Sequence, residues 1–455
     1  MKKKILSILS LFTISCVFAG TNRIEFRENE KPFQNPGQGW AANSAYAPDY
    51  GLFCGAGYIR YDWSTLQPTE DFIDWERFEK DINSFAKKGL PFYFRIMTAN
   101  FHSWKKYSSP EWLFLKGAKG YDYEGVKYKL PDGTESTDHV VPDFSDPIYL
   151  ETHEKFIKAL AKRYDGDPRI GGLDLGSYGN WGEWHCTGFK GLKMKKAPLE
   201  IRKRIADMYL KNFKKTDIFF MTDDYEVLEY ALGKGKKAKV GMRRDGIGSP
   251  WHFNRWIGTF PYEKITRMGD VWKDKPVFFE FFCGVKAFHE KDWDIAYSCD
   301  WILNNHVSLV NVGPLGPQNT EGKEREAVDK VSRYAGARLV AKSAEVSFDG
   351  EKIEVVIEGE NKGASRIYLP YKMKYELRDS SGQVVFEKVS SKDPRKILPS
   401  EFTVRDSFKV ALKSGQEYSL SLRVYHTKKI FKDFRFAVEG LNEDGSLPLG
   451  KISLK

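Results

Sequence analysis

Ile170-Gly-Gly-Leu-Asp-Leu-Gly-Ser-Tyr-Gly-Asn-Trp-Gly-Glu-Trp-His185 is the stretch on which the fold turns. Its first half, Gly171–Ser177, is short and apolar enough for a buried strand. Its second half is a glycine-rich turn that presents Glu183 between Trp181 and Trp184. Similar runs occur on either side, at Gly39–Ala42, Gly57–Trp63, Pro91–Met97, Asp217–Thr222, Lys239–Arg243, Pro276–Phe281 and Val307–Val312. Most are β-branched or aromatic and apolar on both faces, as strands of a covered parallel sheet are. Helical periodicity fills the gaps at Trp75–Lys88, Ile148–Arg163, Leu199–Phe213, Tyr225–Leu232, Trp293–Asn304 and Glu324–Tyr334. Asp146-Pro147 and Ala197-Pro198 start two of these helices. Eight strands alternating with helices over about 300 residues predict an α/β fold, a (β/α)8 TIM barrel. A doubly wound open sheet is the alternative, but no glycine-rich phosphate fingerprint follows the first strand.

The pattern changes after Ala337. Seven short runs, Val346–Phe348, Lys352–Glu358, Tyr371–Arg378, Gln383–Val389, Phe402–Ala411, Tyr418–Tyr425 and Phe434–Val438, are separated by turn residues such as Asp349-Gly350 and Ser414-Gly415. They predict a C-terminal immunoglobulin-like β-sandwich over residues 338–455, following a barrel over 20–337.

Residues 1–19 have the form of a secretory signal peptide. Lys2, Lys3 and Lys4 precede an apolar run from Ile5 to Ile14, and Val17-Phe18-Ala19 is a small-residue cleavage site before Gly20. A secreted or periplasmic protein is expected. The alternative is lipid attachment at Cys16 and a cell-surface lipoprotein, although the usual Leu three places before the Cys is missing. No later run is apolar for long enough to span a membrane.

The net charge is +10, three units of it in the leader, and the remaining basic residues are scattered without a nucleic-acid motif. Cys54, Cys186, Cys283 and Cys299 are too dispersed for a disulfide framework. The eight histidines lack metal-ligand spacing, and nothing calls for a cofactor.

Two acids stand out. Glu183 ends the fourth strand, at the face where barrels keep their active sites. Flanking indoles desolvate its carboxyl, which raises its pKa as a general acid requires. Glu280, in Pro276-Val-Phe-Phe-Glu-Phe-Phe282, ends the seventh strand among apolar residues, where an unpartnered carboxylate is costly. Across one barrel mouth the two provide what glycoside hydrolysis needs: one carboxyl to protonate the leaving oxygen, the other to attack or to activate water. The long segment from Thr98 to Asp146, rich in Trp and Tyr, follows the third strand on the same face and reads as a lid or binding loop.

This arrangement resembles the large glycosidase clan of (β/α)8 barrels, with the acid/base after strand four and the nucleophile on strand seven. Tyr58-Ile-Arg-Tyr-Asp-Trp-Ser-Thr-Leu-Gln-Pro-Thr-Glu-Asp-Phe-Ile-Asp-Trp75 is similar to the strand-two segment of β-galactosidase-like members. That resemblance implies a retaining mechanism with Glu183 as acid/base and Glu280 as nucleophile, and Arg60 supporting the nucleophile. Asn35-Pro-Gly-Gln-Gly-Trp40, Pro142-Asp-Phe144, Arg163-Tyr-Asp-Gly-Asp-Pro168 and Gly182-Glu-Trp-His185 further resemble a bacterial family known only as a domain of unknown function. Where the clan has Asn before the acid/base, this chain has Gly182, and its nearest Asn is Asn180.

Trp63, Asn180, Trp181, Trp184, His185, Asp224, Arg243 and Asn311 are the further candidates for substrate binding, with Asp223, Arg244 and Asp245 also near the mouth. Arginines there either balance buried acids or recognise an anionic sugar. Asp174 with Glu183, as in substrate-assisted chitinase-like barrels, is a second catalytic arrangement. The expected partner is a polysaccharide or glycan. The competing class is a non-catalytic carbohydrate-binding barrel, favoured by Gly182.

Overall fold

The computed structural model describes residues 20–33, 35–44, 52–192, 194–233, 237–254 and 268–453. The leader and Cys16 lie outside them. Strand β1 (Gly20–Glu25) opens the described chain. β2 (Gly39–Ala42), β3 (Cys54–Asp62) and β4 (Phe92–Met97) are followed by a hairpin of β5 (Gly120–Lys129) and β6 (Glu135–Pro142). β7 (Ile170–Asp174), β8 (Ile218–Met221), β9 (Gly241–Ile247), β10 (Val277–Phe281) and β11 (Leu309–Asn311) come next. With β2, β3 and β4 they form a closed parallel barrel, β11 pairing back onto β2. All eight expected barrel strands are present, shifted by a few residues at their ends. The barrel excludes the open doubly wound sheet.

Side chains of a strand alternate between faces, so every second residue points into the barrel. Ala41, Ala56, Tyr58, Tyr93, Phe219, Phe278 and Leu309 form an apolar cluster of their own, separate from the larger core shared by strands and helices. Glycines make room for these rings: a Cβ on Gly172 would meet Phe219 at 2.7 Å. The next inward positions toward the strand ends are polar: Arg60, Arg95, Asp174, Arg243, Asp245, Glu280 and Asn311. The barrel is thus filled with aromatic rings below and charge above.

After the last barrel helix, Gly322–Tyr334, come β12 (Leu339–Phe348), β13 (Lys352–Asn361), β14 (Tyr371–Arg378), β15 (Val384–Val389), β16 (Glu401–Lys409), β17 (Glu417–His426) and β18 (Leu447–Ser453). They form two four-stranded antiparallel sheets, β1-β12-β13-β16 and β15-β14-β17-β18, around one hydrophobic core. Two details differ from the sequence reading. The N-terminal strand, counted there with the barrel, completes the first C-terminal sheet by pairing with β12 from Gly20↔Phe348 to Glu25↔Ser343. Phe434–Val438 is not a strand, although Phe434, Phe436, Ala437 and Val438 are all buried. Its amides instead bond singly to Val424, Asn35 and Leu339, and the last strand is β18. Cys186, Cys283 and Cys299 are free thiols.

Arg338 joins these parts. Its guanidinium is buried, donates to Glu28 at 3.2 Å and to the Asn29 carbonyl, and lies over the rings of Phe33 and Tyr334. Arg338→Ala leaves Glu28 with Lys362 as its remaining ionic partner. We expect a loss of about 2–3 kcal/mol, the usual worth of charged hydrogen bonds, measured as a lower denaturant midpoint at unchanged slope.

Candidate active site

Strand register assembles the polar layer. Arg60 lies beside Arg95 on β3 and β4, and Arg95 beside Asp174 on β4 and β7. Across the barrel, Asp245 lies beside Glu280 on β9 and β10, and Glu280 beside Asn311 on β10 and β11. Arg95 and Arg243 are fully buried and bind the acids together. Arg95 donates to Asp174 and Asp245 at 2.9 Å each and to Glu183 at 3.4 Å. Arg243 donates to Asp245 at 2.7 Å and to Glu280 at 2.6 Å, with its guanidinium over the rings of Tyr58 and Phe278. Asp174 is buried beneath, accepting from Tyr58 at 2.5 Å.

Glu183 reaches this layer from the turn that follows β7. Trp181, Gly182 and Trp184 all have left-handed backbone, with φ of 54°, 71° and 63°. Non-glycine residues hold that conformation only where surroundings compel it, at about 1–3 kcal/mol each. Here the Trp181 amide bonds the Ala99 carbonyl, the Trp184 amide that of Tyr178, and the Trp184 indole that of Leu175. A Cβ on Gly182 would lie 2.2 Å from the Gly176 carbonyl oxygen. The turn itself therefore demands glycine at this position.

The two glutamates meet. One oxygen each of Glu183, Asp245 and Glu280 lies within 4.8 Å of the other two. Arg60, Arg95 and Arg243 already balance these acids, which argues against a cation between them. Glu280 is held by three donors: Arg60 to Oε1 at 3.2 Å, and Arg243 and Asn311 to Oε2 at 2.6 and 2.8 Å. Glu183 is held more loosely, by Arg95 at 3.4 Å and by His185 Nε2 at 3.3 Å. Burial, and then the negative charge of Asp245, push the Glu183 carboxyl up to about 7. Burial opposes the ionisation of Asp245, but Arg243 and Arg95 outweigh it and hold that carboxyl well below its ordinary range. Burial also works against a charged His185, yet its bond to Glu183 raises it above the ordinary histidine value.

These groups face a cleft of about 620 Å³, a size typical of small-ligand sites. Arg60, Trp181, Glu183, His185 and Glu280, expected from sequence, line it. Arg243 and Asn311 are instead fully buried behind Glu280 and act on it. Four expectations are corrected. Trp63 is fully buried against Trp112, Tyr149 and His153, because it opens the short helix Trp63–Leu66 that follows β3 and turns into the helical layer. Trp184 packs on Tyr178 and Phe220 in the core. Asn180 is buried and braces the turn by accepting from the Phe101 amide. Asp224 is spent as the N-cap of the helix Tyr225–Leu232 and as partner of Arg202, while its neighbour Asp223 reaches the cleft.

Sequence reasoning missed Arg95 altogether, although a lone Arg inside Phe92–Met97 is the same signal that marked Glu280. It also missed Asn100, His102, Trp251, His252 and Phe282 in the cleft wall. His102 stacks on Trp181 with centroids 5.3 Å apart, so the long segment after β4 does reach the site. Trp104 in the same segment points to solvent, 84% exposed. The exposed faces of Trp251 and Phe282, 50% and 45% accessible, form the opposite wall.

No protein-family model and no curated protein match the chain. Among solved structures it is similar to a β-galactosidase from the psychrophilic Marinomonas ef1, at 12% identity and TM-score 0.37 over 64% of this chain and 58% of that one. It is similar to GH5_18 from Streptomyces cattleya, solved with GlcNAc, at 10% identity and TM-score 0.40 over 66% and 80%. It is also similar to a β-galactosidase from the Antarctic haloarchaeon Halorubrum lacusprofundi, at 12% identity and TM-score 0.36 over 61% and 53%. The chain thus spans little more than half the length of the two β-galactosidases. Its own fold is established by the closed barrel and its register.

Gly182→Asn is expected to damage the turn. Left-handed backbone and the contact with Gly176 should cost on the order of 2 kcal/mol or more. A thermal melt compared with wild type measures this; an unchanged or raised Tm would refute the account of the turn.

Proposed function

We propose that the chain is a retaining glycoside hydrolase with Glu183 as acid/base and Glu280 as nucleophile. The observation that carries this reading is the approach of the two carboxyl groups, with oxygens within 4.8 Å, in one cleft and in unlike surroundings. Retaining enzymes hold the pair about 5–5.5 Å apart, whereas inverting enzymes leave room for a water between them. Glu280 accepts from three donors, and its Oε1, met by Arg60 at 3.2 Å, is the less engaged oxygen and the attacking one. Burial and Asp245 favour a protonated Glu183.

In the first step Glu280 bonds to the anomeric carbon as the glycosidic C–O bond breaks, and the Glu183 proton passes to the departing oxygen. In the second, Glu183 takes a proton from water. That water displaces Glu280, restoring both carboxyl groups. Trp181, His102, Trp251 and Phe282 supply aromatic walls for sugar rings. A glycan outside the cytoplasm is the proposed substrate, the leader at residues 1–19 being the reason for placing it there. The Asp174–Glu183 arrangement has less support, since Asp174 is buried beneath Arg95 and Tyr58.

A panel of aryl glycosides and polysaccharides tests the reading. Glu183→Gln should lower kcat/KM about 10²–10⁴-fold, the range for losing a general acid, and least with leaving groups that need no proton. Glu280→Gln should abolish turnover whatever the leaving group. Proton NMR should show the product released first with the anomeric configuration of the substrate. No wild-type turnover on any substrate, with glycan binding intact, would favour the non-catalytic barrel.

The pH profile follows from the same surroundings. Activity needs Glu183 protonated, so kcat/KM should fall as pH rises through about 7. A plateau extending well above that pH would remove Glu183 from the acid's role.

A further inference from the structure

Asp245 lies at the centre of the acidic cluster and has no part in the two steps above. It is nearly buried, on β9, and it competes with Glu183 for one guanidinium. Arg95 spans both, at 2.9 Å from Asp245 and 3.4 Å from Glu183. Arg243 adds a second donor to Asp245 at 2.7 Å and none to Glu183. Two buried carboxyl groups this close do not both ionise unless each has its own compensating charge. Asp245 has two guanidinium partners and Glu183 shares one, so the negative charge settles on Asp245 and the proton on Glu183.

We propose that Asp245 is a positioning residue that keeps Glu183 protonated by accepting a hydrogen bond from its carboxyl group. The proposal rests on the reading of Glu183 as the acid and supplies the device that prepares it. Other charged groups facing Glu183 do not replace that device. Arg95 and His185 favour its ionised form. The charge of Glu280 is engaged by Arg60, Arg243 and Asn311. His252 and Asp223 lie further round the wall, and Asp223 is paired with the buried Arg244 at 2.7 Å. When a glycosidic oxygen takes the proton from Glu183, the fixed charge of Asp245 makes the resulting carboxylate a stronger base. That is what the second step requires when a water must be deprotonated.

The test is direct titration of the carboxyl carbons by 13C NMR in the full chain labelled at Glu and Asp. Glu183→Gln, Asp245→Asn and Glu280→Gln assign the signals. In wild type the Glu183 signal should titrate near 7, and one aspartate signal should move with it; that coupled movement should vanish in Glu183→Gln. In Asp245→Asn the Glu183 midpoint should fall by about one pH unit or more, the shift expected on losing a like charge in contact. The alkaline limb of kcat/KM should move the same way.

A midpoint that stays in Asp245→Asn, or that falls only in Glu280→Gln, overturns the proposal. Should Asp245→Asn fail to fold, the coupled aspartate signal in wild type decides, and its absence overturns the proposal. The two readings separate cleanly. If the midpoint shifts as expected but wild type turns over no glycoside, the hydrolase reading fails and the Asp245 assignment stands.

Discussion

Two arginines with no access to water hold the upper barrel together. Arg95 and Arg243 come from β4 and β9, and between them they engage Asp174, Glu183, Asp245 and Glu280 from the end of β7, the turn after it, β9 and β10. A buried guanidinium costs several kcal/mol in lost hydration and is tolerated only where its donors are matched by acceptors in good geometry. The acids bear the same constraint from the other side. Strand register is what satisfies both, since a shift of one residue would turn an arginine out of the barrel and leave a carboxylate behind. The aromatic plug below, built from Tyr58, Tyr93, Phe219 and Phe278, keeps water from the underside of this lattice and carries the Arg243 guanidinium on its ring faces.

The same lattice divides labour between two chemically identical side chains. Glu280 receives three donors, two of them guanidinium groups. Glu183 receives one distant guanidinium and a histidine, and it faces the charge of Asp245. In the proposed mechanism nothing in the chemistry of glutamate distinguishes the acid from the nucleophile; the count and distance of neighbouring donors does. Buried arginines here balance acids, and this outcome takes precedence over recognition of an anionic sugar by Arg243.

The turn between β7 and the following helix is the second costly element. Left-handed backbone at two tryptophans is held by backbone hydrogen bonds to Ala99 and Tyr178 and by burial of the Trp184 ring. Those contacts reach into the loop after β4, so the position of Glu183 depends on two loops locking together. His102 stacked on Trp181 is the visible part of that lock. Under the proposed reading of Glu183, rigidity at this point is what a proton donor within hydrogen-bonding reach of a bond demands.

The alternation of apolar strands and amphipathic helices is a local property, and it carried the barrel, the change of pattern after Ala337 and the placement of Glu183 and Glu280 at strand ends. In the structure the two glutamates converge and Arg60 contacts Glu280. Burial of a tryptophan or aspartate depends on which face its strand end turns to the helices, which no local pattern records; hence Trp63, Trp184 and Asp224 were read as site residues and proved to be packing or capping groups. Arg95 and the role of Asp245 depend on distances between strands far apart in sequence. Local periodicity determined which residues face inward. Only closure of the barrel decided which charges would meet, because that is set by distances between side chains from different strands.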